Sequence, residues 1–268
     1  MYRIAEAFRE CAQQKTKAFI PYITAGDPTL QKTAEMLAYL ATHGADIIEV
    51  GVPFSDPMAD GPVIQKAMER ALSGGATLRK ILETIREFRT RYETPIILMG
   101  YYNPFYAYGF EMFSRDARSA GVDGVLTVDL PPEEAGEFTG ILKDNHLQSI
   151  FLLTPVSDRK RIKAVKKVAD GFIYFVSVTG VTGERGSLPD EIREKMIEIR
   201  GEIQLPLVLG FGISKPDIVE RFYSYADGFV VGSALVKRWQ DAGWDEQHRS
   251  EFHDYLTQMV SACHRYNV

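Results

Sequence analysis

The chain has 268 residues with 31 Lys+Arg against 36 Asp+Glu, a formal net charge of −5, and no basic stripe, so it lacks the excess that tracks a phosphate backbone. At 45% hydrophobic and 25% charged it has an ordinary globular composition. Its longest apolar runs, such as 96–99 and 229–231, fall far below the roughly 18–20 residues that span a bilayer.

Neither nucleic acid nor a membrane is therefore an expected partner. Residues 1–6 place acid where a signal peptide has its apolar centre, which points to a cytoplasmic protein. Cys11 and Cys263 lie near opposite ends, form no metal-ligand spacing and read as unpaired thiols.

In chain order, a helical pattern over 3–13 comes first and is suited to plug a barrel floor. Short apolar, β-branched segments then alternate with helical ones. Predicted strands are 18–24, 46–52, 95–101, 124–129, 148–154, 172–178, 206–211 and 228–231. Predicted helices between them are 29–42, 62–73, 77–92, 110–119, 132–144, 157–168, 190–199 and 215–225, and a last helix runs over about 245–266. Eight strands with intervening helices in a chain of this length predict a (β/α)8 TIM barrel with extra N-terminal and C-terminal helices, a Rossmann-type sheet being the weaker alternative. No linker or low-complexity tract interrupts it, so residues 1–268 read as one catalytic domain.

In such a barrel the chemistry sits where the strands end. Glu49 closes strand 2 in apolar surroundings, and if Ile48 and Val50 face outward, Glu49 faces the axis, where desolvation raises a carboxyl pKa. A Glu paired with a buried cation, or one capping a loop, is the competing reading. Asp60, on a loop stiffened by Pro53, Pro57 and Gly61, is either a functional acid or the N-cap of the next helix. The segment 178–189 has the glycine content of a lid. Glycines at the ends of strands 6, 7 and 8, with a short helix opening near Ser233, suit main-chain capture of a phosphate. None of the five histidines and no lysine falls at a predicted strand end. That disfavours a His-ligated metal and a Schiff base and leaves Glu49, Tyr101, Asn103, Asp129, Thr154, Tyr174 and Ser177 as inner positions. The residues point to metal-free acid–base chemistry on a phosphorylated compound.

The run Glu49-Val50-Gly51-Val52-Pro53-Phe54-Ser55-Asp56-Pro57-Met58-Ala59-Asp60-Gly61-Pro62 resembles the tryptophan synthase α-subunit family. The resemblance continues through Pro21–Pro28, Tyr101-Tyr102-Asn103-Pro104, Asp129-Leu130-Pro131, Thr179-Gly180-Val181-Thr182-Gly183, Gly210-Phe211-Gly212-Ile213 and Val231-Gly232-Ser233-Ala234, nearly the whole chain. It implies a TIM barrel that cleaves indole-3-glycerol phosphate to indole and glyceraldehyde 3-phosphate, with Glu49 as general acid/base and Asp60 binding the indole N–H. It also implies that Gly183, Gly212, Gly232 and Ser233 bind the phosphate and that Tyr174 closes that pocket. Thr182 would hydrogen-bond Asp60, and Tyr22, Met99, Tyr101, Leu126 and Phe211 would line the indole slot.

The family's partner is a pyridoxal-phosphate-dependent β subunit in an α2β2 assembly, and this chain is expected to carry no cofactor of its own. Two departures stand out: the lid segment 182–189 is shorter than in the enterobacterial members, and Tyr22 stands where those carry Phe. A free-standing indole-3-glycerol-phosphate lyase remains the nearest alternative. Another phosphosugar isomerase barrel and a catalytically silent partner of a β subunit are more distant ones.

Overall fold

The computed structural model describes residues 2–176, 188–210, 212–241 and 246–265. The first half runs α1 (Arg3–Gln14), β1 (Ala18–Thr24), α2 (Leu30–Thr42), β2 (Ile48–Gly51), α3 (Pro62–Ser73), α4 (Leu78–Arg89), β3 (Ile96–Gly100), α5 (Tyr102–Tyr108), α6 (Phe110–Ala120) and β4 (Gly124–Thr127). The second runs α7 (Gly136–Asp144), β5 (Gln148–Leu153), α8 (Arg159–Val168), β6 (Ile173–Val176), α9 (Leu188–Glu202), β7 (Leu207–Gly210), α10 (Pro216–Phe222), β8 (Gly228–Val231), α11 (Ser233–Asp241) and α12 (Glu246–Cys263). The strands close in sequence order, and β8 returns to pair with β1, every pairing being parallel. This is the expected (β/α)8 barrel.

Strand alternation divides the apolar side chains into two cores. Ile20, Tyr22, Ile97, Leu126, Ile150, Tyr174, Val208 and Val230 fill the barrel interior. Phe19, Ile48, Val50, Leu98, Phe175, Leu209 and Phe229 face the helices. Helix α1 carries Ile4, Ala7, Phe8 and Cys11 on one stripe at helical spacing, and these join the interior cluster. Phe8 sets its ring edge against Phe172, 5.6 Å between centroids, so α1 closes the floor as expected.

A repeated device ties the floor together. Asp46, Asp123 and Asp227, each just ahead of an even-numbered strand, exchange bonds with the preceding odd strand. Phe19 N–H donates to Asp46 Oδ2 at 2.7 Å, Ile96 N–H to Asp123 Oδ2 at 2.9 Å and Leu207 N–H to Asp227 Oδ2 at 2.8 Å. The aspartate N–H groups return bonds to Phe19, Ile96 and Leu207 carbonyls. Asp170, ahead of β6, keeps the backbone half of this pattern and takes its side-chain bond from Gln148 Nε2. Asp123 also binds Arg3 at 3.0 Å and Arg89 at 3.1 Å.

Several boundaries differ from the sequence expectation. Helix α5 was not expected, since the sequence placed no element between the strand ending at 101 and the helix starting at 110. Proline is tolerated there because it falls in the first helical turn, where its missing N–H would be unsatisfied anyway. Helix α9 begins at Leu188, so Leu188 and Pro189 belong to helix rather than to the expected lid. Cys11 and Cys263 are both buried and unpaired, as expected. No helix among the described residues is long and apolar enough to cross a membrane.

Candidate active site

Glu49 sits in the middle of β2 with Ile48 and Val50 in the outer core, so alternation turns it inward. Its Cα neighbours across the ladder are Tyr22 on β1 and Ile97 on β3, both interior residues. It is 2% exposed, and neither carboxyl oxygen has a hydrogen-bond partner among the described residues. Among the described residues no cation pairs with it to make the structural ion pair that the sequence left open. Burial, reinforced by the negative charge of Asp60, pushes its pKa up to about 8. At neutral pH it is therefore a buried, protonated acid.

Asp60 is not a helix cap. Helix α3 is capped by Gly61 without a side-chain bond, and the Asp60 carboxylate turns instead toward the residue just past β3, Tyr101, whose hydroxyl donates to Oδ2 at 2.7 Å. The same hydroxyl accepts from Ala59 N–H at 3.0 Å, and the Phe54 ring stacks on Tyr101 at 5.0 Å. Burial raises the Asp60 pKa while the Tyr101 bond opposes the rise by favouring the ionised form. Burial raises both carboxyls, but only Asp60 has a side-chain donor that favours its ionised form, whereas Glu49 has none among the described residues, so the two sit in unlike environments.

Three phenols frame the pair. Tyr22 is 2% exposed, its hydroxyl 3.3 Å from Thr24 Oγ1, and its ring lies over Gly51, where a Cβ would stand 2.1 Å from the hydroxyl oxygen. Tyr174 covers Gly210 in the same way, with its ring carbon 2.1 Å from the place a Cβ would take. These two glycines are thus demanded by close approach, not by turn geometry. Leu126 is fully buried in the interior cluster and Met99 packs half-buried against it. Around the rim, Gly212 is exposed, Gly232 half-buried, and Ser233 opens α11, whose first N–H groups have no partner within the helix.

A family model described as tryptophan synthase alpha chain matches residues 8–264. A tryptophan synthase alpha chain of Geotalea daltonii is 52% identical over 262 residues, which is 98% of this chain and 97% of that protein. The crystal structure of tryptophan synthase subunit alpha from Legionella pneumophila superposes with a TM-score of 0.91 at 36% identity, covering 99% of this chain and 100% of that one. A chain from the tryptophan synthase α2β2 complex of Pyrococcus furiosus gives 0.84 at 38% identity, covering 92% and 99%. The chain belongs to the tryptophan synthase alpha chain family. It is accordingly a TIM-barrel lyase of tryptophan biosynthesis.

Of the residues to which the family resemblance assigned a role, the barrel brings Glu49, Asp60, Tyr22, Met99, Tyr101, Leu126 and Tyr174 to its interior and mouth. Gly212, Gly232 and Ser233 lie at the ends of β7 and β8. Thr182, Gly183 and Phe211, with the inner position Ser177, fall outside the described residues. Three other inner positions are corrected. Asn103 is exposed on α5. Asp129 is exposed and accepts from Tyr102 N–H at 2.6 Å, serving the start of that helix. Thr154 is held in a turn through its N–H to Ser157 Oγ at 3.0 Å. Sequence reasoning missed Thr24, Phe54 and Gln65. Thr24 could have been found by alternation, two residues beyond Tyr22, whereas Gln65 carries no sequence signal beyond its place in the first turns of α3.

Proposed function

We propose that Glu49 and Asp60 carry the family's reaction in this chain, the cleavage of indole-3-glycerol phosphate to indole and glyceraldehyde 3-phosphate. The observation that supports this most is the Glu49 carboxyl, buried at the inner face of β2 with both oxygens unpartnered among the described residues and its pKa raised to about 8. A carboxyl with that pKa is matched to proton transfer near neutral pH. In this reading protonated Glu49 delivers its proton to indole C3, which breaks the aromaticity of the pyrrole ring and leaves positive charge on the nitrogen side. The Asp60 carboxylate, held by Tyr101, accepts the indole N–H and stabilises that charge as it develops. Glu49, now a carboxylate, takes the proton from the glyceryl hydroxyl next to the ring as the carbon–carbon bond opens, its electrons returning to the ring. The aldehyde forms, and Glu49 ends protonated as it began.

Tyr22, Met99, Tyr101 and Leu126, with Phe211, supply the apolar slot for the indole. The phosphate is assigned to main-chain donors at Gly212, Gly232 and Ser233, with Gly183, and to the dipole of α11, while Tyr174 closes the pocket and Thr182 meets Asp60. No cofactor belongs to this chain in this reading, pyridoxal phosphate being the β subunit's. The β subunit is the proposed partner in an α2β2 assembly, in the cytoplasm. The loop after β2 exposes Met58 (89%) and helix α5, which follows β3, exposes Tyr106 (62%) at the active-site end of the barrel, where a partner receiving indole would dock.

Release of indole from indole-3-glycerol phosphate by the purified chain, with and without β subunit, tests the proposal. Weak release that rises sharply with the β subunit is expected. Strong release that the partner leaves unchanged would make the chain a free-standing lyase, and no release in either case would overturn the assignment.

A further inference from the structure

Asp60 must be aimed as well as charged, and its main chain is held from a second direction. Gln65 lies half-buried near the start of α3, and its side-chain amide reaches back over the helix N-terminus. There Nε2 donates to the Asp60 carbonyl at 2.9 Å and stands 3.4 Å from the Pro57 carbonyl. Asp60 N–H closes the same small loop by donating to Pro57 O at 3.1 Å. Helix α3 is a firm base for this amide. Ala67, Met68 and Ala71 bury its inner face, and Arg70 makes a two-pronged pair with Asp27 at the outlet of β1, at 2.7 and 2.8 Å. Tyr101, between β3 and α5, fixes the Asp60 carboxylate, and Gln65 fixes the Asp60 backbone from α3. A loop residue whose side chain and main chain are pinned to different elements has little freedom to rotate its carboxylate.

We propose that Gln65 is a positioning residue for the cleavage reaction, acting through Asp60. The inference rests on the role given to Asp60 above. Its geometry demands a donor of this length: the shorter side chain of Asn ends one methylene short of the Asp60 carbonyl, and a carboxylate in place of the amide would face two carbonyls with nothing to donate.

The test uses the full-length chain saturated with β subunit and measures indole release for Gln65→Ala, Gln65→Met and Gln65→Glu, alone and with Asp60→Asn. Gln65→Ala and Gln65→Met are expected to lower kcat on the order of 10- to 100-fold while KM stays within about threefold, with thermal unfolding unchanged for Gln65→Met, which keeps the length of the side chain. In the Asp60→Asn background the further loss from Gln65→Met should nearly vanish, since both changes act on one group. Gln65→Glu should be impaired most at alkaline pH and recover relative to wild type as acid protonates the new carboxyl and restores a donor. Three results would each overturn the proposal: Gln65→Met within about twofold of wild type, full additivity with Asp60→Asn, or a Gln65→Glu deficit independent of pH. If Glu49→Gln and Asp60→Asn themselves retain activity, the reading of the site fails. If only Gln65→Met retains it, the positioning role alone fails.

Discussion

A carboxyl that loses its hydration on folding and gains no hydrogen bond is costly to ionise, and Glu49 is placed in that position deliberately close to Asp60. The consequence can be read in stability as well as rate. Its folded pKa, about 8, lies above the ordinary value of 4.5, so the native state binds the extra proton between those limits. The Glu49 contribution is therefore most favourable below about 4.5 and is lost as pH rises through about 8. Glu49→Gln, which cannot ionise, should unfold at higher temperature than wild type at pH above 8. The gap should be on the order of a few kcal/mol and should close toward acid pH, as followed by thermal melts across that range. Parallel melting curves at all pH values would mean that Glu49 is not neutral in the native state. Tyr22 gives a second residue-scale outcome. Gly51→Ala drives a methyl into its ring, and the displacement should cost about 1–3 kcal/mol in denaturant unfolding and reduce indole release, because the ring leaves the slot.

Among the elements, α1 and the aspartates ahead of the even strands carry the floor, at the end of the barrel opposite the site. Asp123 takes Arg3, Arg89 and the Ile96 N–H while 4% exposed. Asp123→Ala would leave the Arg89 guanidinium, 11% exposed, without its carboxylate, and should destabilise the chain by about 3–5 kcal/mol. Indole release per folded molecule should be unchanged, and a fall in kcat would show coupling from floor to mouth. Most of this architecture was legible in the sequence because strand and helix periods differ. Strand 8 matched its expected bounds, 228–231, and α3 its expected bounds, 62–73. Strand 2 narrowed to Ile48–Gly51, since apolar flanks extend an alternation beyond the paired ladder. Helix α5 was hidden by Pro104. Glu49 was legible as an inward acid through its two apolar neighbours. The partners of Asp60 were not: Tyr101 reaches it through tertiary folding across 41 residues, and Gln65, though only five residues away, has no spacing motif that announces its bond to the Asp60 carbonyl.

At the scale of the whole molecule, one end of the barrel is packed shut by α1 and the other holds the paired acids, the glycine-lined strand ends and the exposed Met58 and Tyr106. That polarity suits a subunit that receives a phosphorylated compound and hands an apolar product to a neighbour. Tyr106→Asp should weaken stimulation by the β subunit at least about tenfold in a titration, with basal indole release unchanged; equal stimulation would place the interface elsewhere. For the phosphate, Gly232→Ala is the cleaner probe than Gly212→Ala, since Gly212 has φ +79°, which strains any side chain, whereas a Cβ at Gly232 meets nothing closer than 3.8 Å. Gly232→Ala should weaken glyceraldehyde 3-phosphate in calorimetry and leave indole binding little changed.

The central claim, that Glu49 is the group that moves the proton, is tested most directly by indole release from indole-3-glycerol phosphate by wild type and Glu49→Gln across pH, both with β subunit. The wild-type rate should fall as pH rises through about 8, and the variant should be slower by on the order of 10²–10⁴-fold at neutral pH while melting as a folded protein. A Glu49→Gln enzyme within about threefold of wild type, with the same pH profile, would contradict the account.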